Sequence, residues 1–311
     1  MNLLYIILGL LLLVVGGNWL LKSSVGLSLR LNISKIIVGL TIVSFATSAP
    51  EMIVSIKAAL DGFPDIAVGN VVGSNIGNVG LVLGIVLLIN AINVETNFYK
   101  TDWPMKMLAS VLLFFFLIID GKLSRIEGFI FVLLLVAFLV VLIRQNKKVE
   151  IELDEDTETE MSYFKIFGFL AVGGFALWLG SELLVDGAVS LAEGLGVSKR
   201  VIAITVVSIG TSVPELASSV IAAIKKESDI SIGNIIGSNI FNILSVLGFT
   251  AILKPIENVD QKIMTFDIYW LLAFSFILLP LVFLPKRNNL SFKEGILLVL
   301  AYSVFIYFTI Q

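Results

Sequence analysis

Residues 44–51 read SFATSAPE, and residues 208–215 repeat the motif as SIGTSVPE. Each copy places a glutamate, Glu51 or Glu215, inside a long apolar stretch of the chain. A charged side chain at bilayer depth is costly, so those that occur usually lie on the path of an ion or a substrate. Two copies of such a carboxylate are typical of a transporter that is built from internal repeats.

The same offset of 164 residues aligns a second pair of motifs without a gap. Residues 69–78 read GNVVGSNIGN, and residues 233–242 read GNIIGSNIFN. The glycines spaced four apart fit the small-residue contacts by which membrane helices pack. A serine and an asparagine, also four apart in each copy, share one face of a helix and favour a common cation site. These residues are Ser74, Asn78, Ser238 and Asn242.

The composition is that of a membrane protein. Hydrophobic residues make up 58% of the chain and the mean hydropathy is +1.01, which excludes an ordinary soluble domain. The chain has no Cys and no His, which excludes disulfides, thiolate metal sites and hydrolases that use a Ser–His pair. We therefore expect neither an enzyme nor a cofactor, and no nucleic-acid partner. The oligomeric state stays open, and a monomer is compatible with the sequence.

Ten apolar runs are long enough to span a bilayer, five on each side of a hydrophilic stretch at 145–162. They lie at 2–21, 35–60, 66–90, 103–119, 126–143, 163–185, 199–224, 230–253, 266–284 and 292–310. Because five is an odd number, a gapless repeat places the two halves in opposite orientations. The sequence therefore predicts an all-α polytopic protein with two inverted five-helix repeats, 1–144 and 163–311, and broken helices at its core.

The stretch at 145–162 carries seven acidic residues and is interpreted as a short solvated linker between the repeats. Fourteen of the 21 Lys and Arg residues fall on the linker's side of the membrane, counting Lys106 near the start of the run at 103–119. Because Lys and Arg concentrate on the cytoplasmic side, this asymmetry places the linker in the cytoplasm and both termini outside. We expect a multi-pass protein of the cell membrane.

The end of the first motif allows two interpretations. Ser48 and Glu51 fit a capping box, as do Ser212 and Glu215. Pro50 requires a break in the membrane helix, and such a break is tolerated only inside the protein or along a cavity. Carbonyls freed by the break point partial negative charge into the gap. Together with the carboxylates and hydroxyls, they form the oxygen ligand set that Ca²⁺ and alkali cations prefer.

The motifs carry no opposite charge of their own. No Lys or Arg falls in 36–56, 66–99, 201–224 or 230–253. Two ionised glutamates without a partner at this depth would cost several kcal/mol, unless each takes up a proton. A bound cation or a proton must therefore balance them.

These doubled motifs resemble those of the cation/Ca²⁺ antiporters, specifically the prokaryotic sodium/calcium exchangers, over essentially the whole chain. The resemblance implies Na⁺/Ca²⁺ antiport, in which the first and sixth helices slide across a core of four helices. It also implies that Glu51 and Glu215 are the central Ca²⁺ ligands, assisted by the carbonyls of Thr47 and Thr211. The other residues that it implies for Na⁺ sites or the central cavity are Ser44, Ser208, Ser48, Ser212, Ser74, Ser238, Asn78 and Asn242.

The chain departs from the family pattern at two places. Ala46 stands where the second motif has the usual Gly210, which predicts a difference in local unwinding. Asn242 stands where several relatives carry Asp, so the pair Asn78 and Asn242 is neutral and K⁺ co-transport is less expected. Two alternatives stay open from the residues alone. One is H⁺-coupled exchange of Ca²⁺ or Na⁺, and the other is a passive channel with the glutamates as its filter.

Overall fold

The computed structural model describes residues 2–145, 161–195 and 210–310. Within these ranges it contains eight helices that are long and apolar enough to cross a membrane, and one bent pair that would count as a ninth. The helices are α1 (Asn2–Leu31), α2 (Lys35–Thr47), α3 (Ala49–Leu60), α4 (Pro64–Ile89), α5 (Phe98–Asp120), α6 (Arg125–Gln145), α7 (Tyr163–Gly194), α8 (Val213–Ile224), α9 (Ser228–Leu253), α10 (Ile263–Phe283) and α11 (Phe292–Ile310).

The predicted multi-pass helical fold is therefore confirmed, whereas the count of ten spans stays a prediction. The predicted span at 199–224 is described only from residue 210. Helix α8 therefore represents only the second half of that predicted span. Most of the acidic linker, residues 146–160, also lies outside the described residues.

Helices α4 and α9 form the centre of the molecule. In the most apolar window of each, 72% of the residues of α4 and 89% of those of α9 are buried, against 28–33% in the other long helices. Both carry the second motif, and both contain a π-helical segment, Asn78–Leu83 and Asn242–Leu247, at positions related by the same offset. Single π-helical turns inside α-helices often mark functional sites.

The break predicted from Pro50 is present. Helices α2 and α3 meet at Ser48 with a bend of 44°. Ser48 has φ −86° and ψ 1°, and Ser212, before α8, has φ −88° and ψ 4°. This conformation is sparsely populated in proteins, and it recurs at equivalent residues of the two motifs.

The long helices α1 and α7 pack backbone to backbone through four glycines. A Cβ on Gly9 would lie 2.8 Å from the carbonyl oxygen of Gly180, and a Cβ on Gly16 would lie 2.8 Å from that of Gly173. Gly9 aligns with Gly173 and Gly16 with Gly180 at the repeat offset. The offset therefore converts the Gly9–Gly180 contact into the Gly16–Gly173 contact. Two units related by a two-fold axis show this pattern.

The all-α prediction misses one feature. Strands β1 (Ile92–Asn93) and β2 (Asn289–Leu290) pair antiparallel, with Ile92 opposite Leu290 and Asn93 opposite Asn289. The pair lies between the loops that follow α4 and α10. Loop backbone groups that are buried must find partners, and here they find them in each other.

One detail of the sequence interpretation is wrong. Lys106 does not belong to the charges at the linker's side, because it is buried within α5 with 1% of its surface exposed and donates to Ser275 Oγ at 2.7 Å. It therefore drops out of the charge count that orients the chain.

Candidate cation site

The two glutamates lie in the first turns of α3 and α8, which follow the break at Ser48 and the N-cap residue Ser212. Both Glu51 and Glu215 are fully buried. Among the described residues, neither carboxylate oxygen of Glu51 has a hydrogen-bond partner, and Oε2 of Glu215 has none either. Buried polar atoms normally have hydrogen-bond partners. Three buried carboxylate oxygens without a described partner therefore point to a ligand.

The capping interpretation is wrong for these residues. Helices do begin after Ser48 and Ser212, but neither side chain accepts a capping hydrogen bond. Elsewhere the chain has a true capping box, in which Glu127 Oε2 accepts from the Ser124 backbone N–H at 2.6 Å and from its hydroxyl at 2.7 Å. Ser48 Oγ instead points across the repeat boundary and lies 3.5 Å from Glu215 Oε1.

Hydroxyl groups from the two repeats meet in pairs around the carboxylates. Thr47 Oγ1 lies 3.3 Å from Ser238 Oγ, and Thr211 Oγ1 lies 3.2 Å from Ser74 Oγ. The two pairs are equivalent at the repeat offset, because Thr47 aligns with Thr211 and Ser74 aligns with Ser238. Each pair thus combines a residue just before α3 or α8 with the central helix of the other repeat.

The asparagines that end the second motif have polar atoms without partners in the described part of the chain. Asn78 and Asn242 are buried and begin the π-helical segments of α4 and α9. Asn242 Nδ2 donates to Asn75 Oδ1 at 3.3 Å. Both polar atoms of Asn78 and Oδ1 of Asn242 lack a partner among the described residues. These oxygens are available as neutral ligands.

Ser44 contributes less directly. Its hydroxyl donates to the carbonyl oxygens of Gly39 at 2.7 Å and Asn234 at 3.0 Å, so it joins α2 to α9. Its own carbonyl oxygen accepts from Ser48 N–H at 2.9 Å. Ser208, the equivalent residue of the second motif, lies outside the described residues.

Helix α7 contacts Gly210, just before α8, in a way that the sequence interpretation missed. Ser181 Oγ donates to the carbonyl oxygen of Gly210 at 2.8 Å. A Cβ at residue 210 would lie 2.6 Å from Val185 Cγ2, one turn further along α7. In the first repeat, the Cβ of Ala46 would still lie 3.8 Å from a Cβ added to Gly174 of α7. The close approach of α7 therefore explains why glycine is needed at 210 and alanine fits at 46.

The electrostatic balance of the site rests on two carboxylates. The described residues contain no cluster of three or more acidic side chains that could hold a metal ion. A described ion pair joins Lys35 Nζ to Glu227 Oε2 at 2.8 Å, at the N-terminal ends of α2 and α9. In the loop beside it, burial and the Asp229 carboxylate raise the pKa of Glu95. The site itself offers two negative charges and many neutral oxygens, which suits hard cations.

A serine substitution separates the capping role from a ligand role. Ser212 Oγ has no partner among the described residues. Removal of a capping serine costs about 0.5–2 kcal/mol. We expect Ser212→Ala to leave the thermal unfolding temperature of the ion-free protein unchanged and to weaken Na⁺ binding. Ser124→Ala, which removes a true cap, should show the opposite pattern. Equal destabilisation by both substitutions would restore the capping role.

Comparisons with known proteins find matches along almost the whole chain. The family model described as sodium/calcium exchanger protein matches residues 1–144 and 165–311. The putative antiporter CaxA of Alkalimonas amylolytica is 38% identical over 309 residues, which cover 96% of this chain and 95% of that protein. The sodium/calcium exchanger MaX1 of Methanosarcina acetivorans is 32% identical over 98% of this chain and 97% of its own length.

A solved structure has the same fold. The sodium-calcium exchanger NCX_Mj, soaked with zero Na⁺ and Ca²⁺, superimposes with a TM-score of 0.84 at 28% identity. The match covers 99% of this chain and 98% of that chain.

Proposed function

The chain belongs to the sodium/calcium exchanger family, and on that premise we propose that it exchanges Na⁺ for Ca²⁺ by alternating access. A single observation carries the proposal. Two fully buried glutamates, one from each motif, have oxygens without hydrogen-bond partners among the described residues. Their two negative charges balance the charge of one Ca²⁺ or of two Na⁺, so either cargo neutralises the cavity.

The ligands proposed for the cations are Glu51 and Glu215, with neutral oxygens around them. The contacts of Thr47 with Ser238 and of Thr211 with Ser74 support a role for both broken segments in one shared site. The complete proposed set of neutral residues is Thr47, Thr211, Ser48, Ser212, Ser74, Ser238, Asn78, Asn242, Ser44 and Ser208. Ser44 and Ser208 enter through their backbone carbonyls, as the family resemblance implies.

Coupling follows from the cost of an empty cavity. Two uncompensated carboxylates in a closed, dry site are strongly unfavourable, so the unloaded protein should resist the change of access. When the site holds Ca²⁺ or Na⁺, the protein can change the side of the membrane to which the site is open. If more than two Na⁺ exchange for each Ca²⁺, net charge moves, and the membrane potential contributes about 2.3 kcal/mol per charge per 100 mV.

The proposal includes an architecture and a location. Ten spans would form two inverted repeats joined by the acidic linker, in the cell membrane, with both termini outside. The exchange of the Gly9–Gly180 and Gly16–Gly173 contacts under the repeat offset supports the inverted arrangement. A reporter fused after Gln311 that is active only in the cytoplasm would overturn the orientation.

Flux into vesicles tests the exchange. Purified protein in Na⁺-loaded liposomes should take up radioactive Ca²⁺ when diluted into Na⁺-free medium, and uptake should stop when Na⁺ is equal on both sides. Uptake driven by a pH gradient in the absence of Na⁺ would favour proton coupling instead. Ca²⁺ entry that ignores every gradient except its own would indicate a channel.

A further inference from the structure

Asn234 lies in α9 with 1% of its surface exposed, and its amide makes four side-chain contacts. Its Nδ2 donates to Ser218 Oγ at 2.9 Å and to Ser219 Oγ at 3.0 Å, both on α8. Its Oδ1 accepts from Thr47 Oγ1 at 3.1 Å and from Ser238 Oγ at 3.4 Å. The amide therefore uses its full hydrogen-bonding capacity between α8 and the proposed ligands.

The direction of the amide follows from its partners. Ser218 donates its own proton to the backbone oxygen of Glu215 at 3.1 Å, so towards Asn234 it can only accept. The NH₂ group must then face α8, and the carbonyl oxygen must face Thr47 and Ser238. The same serines that follow Glu215 along α8 thus fix the orientation of Asn234.

This orientation decides where two hydroxyl protons point. A hydroxyl that coordinates a cation must offer a lone pair to it and direct its proton elsewhere. Two other described neutral acceptors lie near Thr47, and both are farther away. They are the Ser238 hydroxyl at 3.3 Å and the Ser44 carbonyl at 3.4 Å, which already accepts from Ser48 N–H. Asn234 Oδ1 is the closest acceptor, and it serves Ser238 as well.

We propose that Asn234 is a positioning residue of the cation site, which takes the protons of Thr47 and Ser238 and thereby turns their lone pairs towards the bound ion. The inference rests on the proposed function, because it assumes that these hydroxyls are ligands. Groups that orient ligands in this way commonly change cation affinity by about 10- to 100-fold when they are removed.

The first repeat does not reproduce this arrangement, although Asn70 aligns with Asn234. Asn70 Nδ2 donates to Ser55 Oγ at 3.0 Å and to the backbone oxygen of Glu51 at 3.3 Å. The described contacts of Asn70 run through Nδ2 alone, and its Oδ1 receives no bond from Ser74 or Thr211 among the described residues. The proposed orienting role is therefore specific to the second repeat in this conformation.

The test measures equilibrium Ca²⁺ binding by calorimetry on the purified full-length protein, together with Na⁺-driven Ca²⁺ uptake. Asn234→Ala should raise the Kd for Ca²⁺ and the KM by about tenfold and leave the maximal rate nearly unchanged. Asn234→Asp keeps one oxygen that can accept from Thr47 and Ser238, although it loses both donations to α8, so it should bind Ca²⁺ more tightly than Asn234→Ala. Asn90→Ala, which removes an amide bonded to Ser228 Oγ at 3.2 Å far from the carboxylates, is the matched control and should bind as the unmodified protein does.

The outcomes separate the inference from the function on which it rests. If the unmodified protein binds no Ca²⁺, the proposed function fails. If it binds and Asn234→Ala binds equally well, or if Asn234→Asp loses as much affinity as the alanine variant, only the positioning role fails. Should Asn234→Ala not fold, the double variant Ser218→Ala/Ser219→Ala decides, because it releases the amide from α8 and should lower affinity in the same way; unchanged affinity there would overturn the inference.

Discussion

Replacing Glu51 or Glu215 by glutamine is expected to reduce Na⁺-driven Ca²⁺ uptake by at least about a hundredfold, equivalent to about 2.7 kcal/mol. Either substitution removes half of the charge that balances Ca²⁺. The ion-free protein should nevertheless stay folded, and its unfolding temperature should be equal or higher. The reason is that the described oxygens of Glu51 hold no hydrogen bond that glutamine would lose, and a buried charge without a partner is destabilising.

Vesicle flux and thermal unfolding of the same preparations check this expectation. Glu127→Gln is the matched control, because that carboxylate caps an exposed helix start and should leave exchange unchanged. Full activity in Glu51→Gln or Glu215→Gln would remove that residue from the site. Loss of activity together with unfolding would assign the glutamate a structural role instead.

Gly237→Ala should have the second-largest effect, because α9 touches α2 at this glycine. A Cβ at residue 237 would lie 2.5 Å from the Leu40 carbonyl oxygen and would overlap Ser44 Oγ. Overpacking of this kind costs about 1–3 kcal/mol, and here it must push α2 away from α9. The contact between Thr47 and Ser238 would then open, so Ca²⁺ binding should fall together with stability.

Calorimetry of Ca²⁺ binding and the unfolding temperature test this effect. Gly168→Ala provides the control, because a Cβ there meets nothing within 4 Å among the described residues. A Gly237→Ala protein with unchanged Ca²⁺ affinity would show that the close approach of α2 and α9 does not position the site.

The elements that could be predicted are those fixed by local chemistry. Proline lacks a backbone N–H, so Pro50 could be assigned to the start of a new helix, and the structure bends at Ser48. Apolar runs of sufficient length gave the spans to within a few residues at most ends. The repeat offset indicated which residues are equivalent, and the matching dihedral angles of Ser48 and Ser212 agree with it.

The elements that could not be predicted depend on which helices meet. Periodicity places Ser74 and Asn78 on one face of α4, but only the packed fold shows that Ser74 meets Thr211 of the other repeat. Asn234 was visible only as part of a motif, since its four partners come from α2, α8 and α9.

Lys106 was misplaced for a related reason. A lysine near the end of an apolar run usually reaches the membrane surface, and only the neighbouring α10 provides Ser275 as an internal partner.

The central claim is that Na⁺ and Ca²⁺ compete for one site built on two glutamates, and Ca²⁺ binding to the purified protein at increasing Na⁺ tests it most directly. We expect one Ca²⁺ per chain, with an apparent Kd that rises steeply with Na⁺ concentration, and no binding in the Glu51→Gln/Glu215→Gln double variant. Ca²⁺ binding that is indifferent to Na⁺, or that persists in the double variant, would contradict the account.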